Sequence, residues 1–262
     1  MAIDEVTKIV SHDEAGPGYR FLVLDAPKLA ALLVPGQFVH MRVPGLEASA
    51  LRRPFSVFDA CDGRVTVMYK IVGRGTEALA KARPGDELAV LGPLGQGFPT
   101  TCDGVPLLVG GGYGVAPLHF LAKRLNNPKT ILFEGGRTKS DLLALDRFAA
   151  LGVDVRTATN DGSAGVKGFV TEPLDAVLAE FRAKGEKFEL FTCGPDGLLK
   201  AVAMRAIDAG RPGWISMDRH MICGVGACFA CIQNIKGPDG QPYNARCCVN
   251  GPVFNAADLI WE

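Results

Sequence analysis

Cys223-Gly-Val-Gly-Ala-Cys228-Phe-Ala-Cys231 stands near the end of the chain, and Cys247-Cys248 follows after a long loop. Four residues separate Cys223 from Cys228, and two separate Cys228 from Cys231. That is the plant-type spacing of a [2Fe–2S] site, whose fourth thiolate comes from further along the chain. Short Gly- and Ala-rich spacers let a tight loop wrap a cluster, with backbone amides facing the sulfides and three thiolates converging on the irons. Gly224 and Gly226 suit the dihedrals that such wrapping needs. A structural zinc ordinarily pairs two short C-x2–4-C units, whereas here three cysteines stand together and the fourth is remote. Disulfides belong to oxidising compartments, and nothing in this chain points to one. Adjacent thiolates rarely both bind one small cluster, so one of Cys247 and Cys248 is a bystander. The spacing leaves open which.

At 262 residues the chain is long enough for two domains and a small appendage. Lys plus Arg and Asp plus Glu balance at 28 each, so no basic face advertises nucleic acid or an anionic membrane. Gly at 32 and Pro at 17 suit a turn-rich, sheet-containing protein. No apolar run reaches the roughly 18 residues of a membrane span. Met1-Ala-Ile-Asp-Glu5 is acidic and lacks an apolar core, so no signal peptide is expected and a cytoplasmic location is. Cys61, Cys102 and Cys193 are scattered and read as reduced thiols.

Residues 1–99 are short apolar runs cut by turn residues. Tyr19–Leu24, Gln37–Val43, Pro54–Asp59, Arg64–Val72 and Glu87–Leu91 are expected as strands, with a hairpin at Asp62-Gly63 and one short helix over Gly75–Ala82. Strands at this spacing favour a small antiparallel β-barrel. Within it, Arg53-Pro54-Phe55-Ser56 offers a cation, a ring and a hydroxyl at one strand end, which is what a flavin needs. Arg53 can pair with the pyrophosphate, Phe55 can lie against the ring system and Ser56 can hydrogen-bond near N5. Alone, the stretch equally suits an ordinary strand. Tyr69-Lys70-Ile-Val-Gly-Arg-Gly75-Thr76 adds weight, because its Gly-Thr opens the short helix, where amides can receive a second phosphate. Gly92-Pro-Leu-Gly-Gln-Gly-Phe98 is expected as a hinge closing the domain.

Residues 100–215 change texture. Strands at Pro106–Val109, Thr130–Phe133, Val153–Ala158 and Glu189–Thr192 alternate with helices at Leu118–Leu125, Asp141–Leu151, Leu174–Ala183 and Leu198–Ala209. This alternation implies a doubly wound parallel α/β sheet. Gly110-Gly111-Gly112-Tyr-Gly114-Val-Ala-Pro117 follows a strand and opens a helix, the setting of a phosphate-binding turn, although it does not match G-x-G-x-x-G. Cys193-Gly194-Pro195 ends a later strand, where open α/β sheets bind ligands. A buried core thiol and a structural turn account for the same residues. Glu134 would repel the 2′-phosphate of NADP, while Arg137 and Lys139 would attract it.

Arg53-Pro-Phe-Ser56, the glycine loop and Cys-Gly-Pro together resemble the ferredoxin–NADP reductase superfamily. With Thr159-Asn-Asp-Gly-Ser-Ala-Gly-Val-Lys-Gly168, Met221–Cys231 and Cys248-Val-Asn-Gly-Pro-Val-Phe254 added, the whole chain resembles the electron transfer subunits of NAD-dependent (type B) dihydroorotate dehydrogenase. The resemblance implies three parts: an FAD-binding barrel (1–99), an NAD-binding α/β domain (100–215) and a small [2Fe–2S] domain (216–262). It implies FAD contacts at Arg53–Ser56, Met68, Tyr69, Lys70, Gly75 and Thr76. It places the last ligand two residues before Gly-Pro-Val-Phe, which selects Cys248 beside Cys223, Cys228 and Cys231. Phe55, where relatives often carry an aliphatic residue or tyrosine, and the insert-like Gly237-Pro-Asp-Gly240 depart from the family pattern.

The function so implied is an oxidoreductase subunit of pyrimidine (UMP) biosynthesis. Electrons would pass from the FMN of a catalytic partner through the cluster and FAD to NAD⁺, in a heterotetramer of two copies of each subunit. No side-chain acid or base is required, so His12, His40, His119 and His220 are taken as packing or surface residues, with His220 the one to test. The small subunit of an NADH-linked ferredoxin:NADP oxidoreductase, or of a sulfide- or hydrogen-metabolising complex, is the near alternative. Those commonly replace the first loop cysteine, which is present here. A non-enzymatic iron–sulfur sensor or zinc-binding module is the alternative of another class.

Overall fold

The computed structural model describes residues 1–46 and 51–261. Strands β1 (Ile3–Gly16) and β2 (Tyr19–Asp25), helix α1 (Pro27–Leu32), strands β3 (Phe38–Met41), β4 (Arg53–Cys61) and β5 (Arg64–Lys70), helix α2 (Arg74–Leu79) and strand β6 (Glu87–Leu94) open the chain. The six strands close a barrel in the order β1-β2-β5-β4-β3-β6, antiparallel throughout, as expected. Asp62 and Gly63 both adopt positive φ, 50° and 72°, and bring Cys61 opposite Arg64, the hairpin that this dipeptide favours.

Strand β1 was not anticipated, and its residues explain why. Its inward positions include Glu5 and Thr7, while Val6 and Val10 face out. Polar-in and apolar-out hides the usual alternation. The inward polar groups are satisfied: Glu5 accepts the N–H groups of Lys28 and Leu29 at the start of α1, at 3.2 and 2.9 Å, and Thr7 donates to the Leu88 carbonyl.

The second half comprises β7 (Val105–Gly111), a tight turn (Gly112–Val115), α3 (Ala116–Leu125), β8 (Ile131–Gly136), α4 (Leu145–Ala150), β9 (Asp154–Thr159), β10 (Val166–Lys167), α5 (Thr171–Lys184), β11 (Phe188–Cys193), α6 (Asp196–Asp208) and β12 (Gly213–Ser216). A hairpin of β13 (Ile232–Lys236) and β14 (Pro242–Arg246) follows, then β15 (Val253–Asn255). One sheet runs β10-β9-β8-β7-β11-β12-β15, parallel except for β15. β11 is buried throughout and β7 nearly so, as central strands covered on both faces must be. The chain winds outward from β7 through β8 and β9, then returns to β11 and β12, so the sheet's switch point lies between β7 and β11.

Two expectations need correction, and a third gains a place in the fold. The helix expected over Asp141–Leu151 is a short 3-10 turn at Lys139–Asp141 and α4, separated by Ala144 in the left-handed region. The glycine stretch expected as a hinge is packed: a Cβ on Gly95 would meet Pro252 at 2.6 Å and the Gly251 carbonyl at 2.7 Å. Gly237-Pro-Asp-Gly240 is the turn of the β13–β14 hairpin, with the Gly240 N–H donating to the Gly237 carbonyl.

The barrel is docked on the sheet layer through α3. The His119 ring stacks on Phe58 with centroids 4.0 Å apart, and Lys123 Nζ lies 2.7 Å from Asp59 Oδ2. That contact fixes the cleft between the two halves.

Candidate functional site

The cleft is a cavity of ≈ 1140 Å³ between the barrel and the carboxyl ends of the sheet. It exceeds the usual range of small-molecule sites, about 300–1,000 Å³, as a dinucleotide and its reaction partner require. Pro54, Phe55, Ser56, Met68, Tyr69, Lys70 and Thr76 line its barrel wall; Gly111, Gly112, Gly114, Cys193, Gly194 and Pro195 line its sheet wall. Two expected residues, Arg53 and Gly75, stand just behind that wall. A Cβ on Gly75 would lie 2.9 Å from Arg53 Nε, so the arginine packs on the first turn of α2.

Phe55 is 7% exposed and packs edge-on to Tyr69 with ring centroids 5.6 Å apart. Both rings belong to the barrel core and to the cavity wall at once, with Pro54 and Ser56 beside them. Thr76 serves the local turn: its Oγ1 accepts the N–H groups of Val72 and Gly73 and donates to the Gly73 carbonyl.

On the sheet wall the two loops meet at the switch point. A Cβ on Gly114 would lie 2.5 Å from the Cys193 carbonyl oxygen, so only glycine admits this approach. The backbone of both loops is thereby left facing the cavity, as a phosphate-binding turn requires. Burial pushes the Cys193 thiol up to about 12, against a Ser216 hydrogen bond, and it stands as a neutral wall group. Glu134, expected to face a 2′-phosphate, is instead fully buried, with Oε1 accepting the Leu143 N–H and Oε2 unpartnered. Arg137 does line the cavity, beside Asp141 at 3.8 Å, and Lys139 does not.

Several cavity residues carried no sequence signal. Tyr19 points its hydroxyl at Asp141 (3.5 Å) and supports Lys70 Nζ 5.0 Å from its ring centroid. Tyr113, inside the glycine loop, donates to Asp218 at 3.0 Å. Their side chains come together only across the domain boundary.

The cysteine loop lies beyond the cavity, joined to it through Met221. Cys223 and Cys228 touch, as do Cys231 and Cys248. The loop amides turn inward: Ala227 and Cys228 N–H donate to Cys223 Sγ at 3.3 and 3.4 Å. Burial opposes ionisation of Cys223, but the N–H groups of Val225, Cys228 and Ala227 and the Cys228 thiol outweigh it and bring the thiol down to about 6. Burial and the neighbouring Cys231 push Cys248 up to about 12, and burial does the same for Cys247. Cys247 is 0% exposed in the apolar core and its N–H donates to the Cys231 carbonyl. Arg246 pins the loop by donating to the Gly226 carbonyl at 2.9 Å, with its guanidinium 5.1 Å from the Phe229 ring centroid.

Among the described residues, no three His, Cys, Asp or Glu side chains converge as ligands of a single ion. The thiols instead form two contacting pairs. A two-iron cluster asks for one pair per iron with amides toward its sulfurs, and the donor set fits that group.

Residues 218–260 match the family model of the iron–sulfur cluster binding domain of dihydroorotate dehydrogenase B. The chain is 36% identical to the dihydroorotate dehydrogenase B (NAD⁺) electron transfer subunit of Desulforamulus reducens, over 97% of each chain. It is 40% identical to that of Geobacillus kaustophilus over 91% of each. Among solved structures, an NADH-dependent reduced ferredoxin-NADP oxidoreductase superposes with a TM-score of 0.82 at 29% identity, covering 97% of this chain and 90% of that one. A ferredoxin reductase of carbazole 1,9a-dioxygenase shares the fold, at 22% identity, TM-score 0.65 and 80% of this chain. With a barrel, a parallel nucleotide sheet and a paired-thiol loop in one chain, this protein belongs to the family of dihydroorotate dehydrogenase B electron transfer subunits.

Proposed function

We propose that this chain is the electron transfer subunit of an NAD-dependent dihydroorotate dehydrogenase in pyrimidine biosynthesis. It carries electrons from the FMN of a separate catalytic subunit through a [2Fe–2S] cluster and FAD to NAD⁺. When bound, a flavin exchanges hydride with nicotinamide and single electrons with an iron–sulfur cluster.

The chain's own residues bind and orient. Arg53, Gly75 and Thr76 hold the pyrophosphate end of FAD; Pro54, Phe55, Ser56, Met68, Tyr69 and Lys70 form the wall for its ring system. Gly111, Gly112 and Gly114, with Cys193-Gly194-Pro195, receive NAD. Cys223, Cys228, Cys231 and Cys248 hold the cluster. The observation that carries the reading is the placement of the cysteine loop. Its inner side rests on β3, whose Phe38 lines the cavity, and its outer side exposes Ile222, Val225 and Phe229 around the exposed Cys228. Such an apolar face beside a cluster suits a partner subunit. A two-plus-two heterotetramer in the cytoplasm fits this arrangement, and no helix among the described residues is long and apolar enough to cross a membrane.

No motif for binding dihydroorotate stands among the described residues. The anaerobically purified protein is expected to show flavin and iron–sulfur absorption bleached by NADH, and to oxidise NADH with artificial acceptors. Dihydroorotate-dependent NAD⁺ reduction should appear only when the FMN subunit is added. Turnover of dihydroorotate by this chain alone, or a colourless chain that iron, sulfide and FAD cannot restore, would overturn the proposal.

A further inference from the structure

Strand β3 is short, and all four of its residues are buried. Val39 and Met41 point into the barrel core. Phe38 and His40 therefore point outward, where a barrel side chain is exposed unless something covers it. Phe38 is covered by the nucleotide half and lines the cavity. His40 is covered by the cysteine loop. A Cβ on Gly224 would lie 2.4 Å from His40 Cε1 and 2.7 Å from each ring nitrogen, so the Cε1 edge of the imidazole points at the Gly224 backbone. Gly224 holds φ +69°, immediately after the ligand Cys223.

The imidazole is 1% exposed, yet its Nε2 has no hydrogen-bond partner in the protein. Leaving a buried polar atom unpaired is costly, and such an atom calls for an explanation. The side chain is not isolated by accident: Phe38 packs edge-on to it, ring centroids 5.6 Å apart, and its own backbone carbonyl accepts from Arg52. A leucine would fill this apolar position without the penalty. What the site adds to an apolar pocket is one unpartnered ring nitrogen beside a loop whose own amides already turn toward sulfur.

We infer that His40 is a positioning residue for the cluster: it seats the Cys223–Cys228 loop on the barrel and donates a hydrogen bond from Nε2 to the sulfurs held there, raising the cluster's reduction potential. A donor stabilises the more negative, reduced cluster, and hydrogen bonds to sulfur are one of the levers that set such potentials. His40 also shares its outward face with Phe38, so the residue that tunes the cluster belongs to the same strand as a wall of the flavin cavity. This inference rests on the iron–sulfur reading above.

The test uses the full chain carrying its cluster and FAD. The cluster midpoint is read by EPR-monitored redox titration in the wild type, His40→Leu and His40→Gln. Leucine fills the space without a donor, and glutamine keeps an N–H. The expected result is a lower cluster midpoint in His40→Leu, recovered toward the wild-type value in His40→Gln, with iron and sulfide content and the flavin midpoint unchanged. Equal midpoints in all three chains, with the cluster fully loaded, overturn the inference and leave His40 a packing residue. If the leucine variant loses its cluster, ¹⁵N-histidine labelling of a His220→Asn chain decides. A weak nitrogen coupling to the reduced cluster supports the assignment, and its absence overturns it. A wild-type chain that takes up no iron and sulfide overturns the iron–sulfur reading itself.

Discussion

The hydroxyl of Tyr69 lies 2.8 Å from Nε2 of His12, whose Nδ1 lies 2.9 Å from the carbonyl oxygen of Ala82. A carbonyl only accepts, so Nδ1 carries the proton and Nε2 accepts from the tyrosine. A ring of the cavity wall is thus tied through His12 of β1 to the Ala82 carbonyl. Replacing it by Tyr69→Phe leaves the His12 acceptor unpaired. Urea denaturation of the holoprotein should show a loss of about 1 kcal/mol, the usual scale of one such bond. An unchanged midpoint would show that the pair contributes nothing.

Arg53 and Gly75 yield a second prediction. A methyl on Gly75 meets the guanidinium, whereas a methyl on Gly73 meets nothing within 4 Å. Gly75→Ala should weaken FAD binding about tenfold, on the scale of one charge-assisted hydrogen bond, while Gly73→Ala keeps it. Flavin fluorescence on dilution reads both. Equal retention in the two variants would remove Arg53 from the flavin site.

Cys247 and Cys248 separate by environment. Cys248 touches Cys231, and Cys247 sits in the apolar core. Cys248→Ser should lose the cluster absorption or alter its EPR signal. Cys247→Ser should keep iron and sulfide content but lose stability, because a buried hydroxyl without a partner costs about 1–3 kcal/mol. A cluster lost in Cys247→Ser alone would reverse the ligand assignment.

Glu134 makes stability depend on pH. Burial, partly offset by the Leu143 N–H, raises its carboxyl from 4.5 to about 8, so the folded chain binds a proton that the unfolded chain releases between those values. The sign is then fixed: stability is fully present below the unfolded value and falls as pH rises toward about 8. The slope is at most about 1.4 kcal/mol per pH unit for one group. Glu134→Gln keeps the acceptor for Leu143 and should flatten that slope, leaving the variant more stable than wild type at pH 8. Thermal melts from pH 5 to 8 check this. Parallel curves would mean that the site is solvated.

Much of this was legible in the chain because it depends on neighbours in sequence. The cysteine spacing, the Asp62-Gly63 hairpin and the alternation of strands and helices after Val105 are all local patterns. What stayed hidden depends on long-range contact. β1 reverses the expected polarity because the Glu5 oxygens accept two amides of α1, more than twenty residues away. His40 looked like any core histidine, since its partner in space is Gly224. Phe55 lines the cavity as expected, but its edge-on contact with Tyr69 on the next strand is a pairing that the sequence does not show.

The cysteine hairpin leaves the nucleotide sheet after Ser216 and returns at Val253, and these two residues pair directly across β12 and β15. The lobe is therefore an excursion between adjacent strands rather than a module strung on the end. Its closing strand is the outermost rung of the sheet whose loops wall the cavity. Iron supply and nucleotide-domain integrity are consequently linked by mass action: a chain starved of iron should fray first at that rung, exposing the β12 edge to proteases and to pairing with other chains.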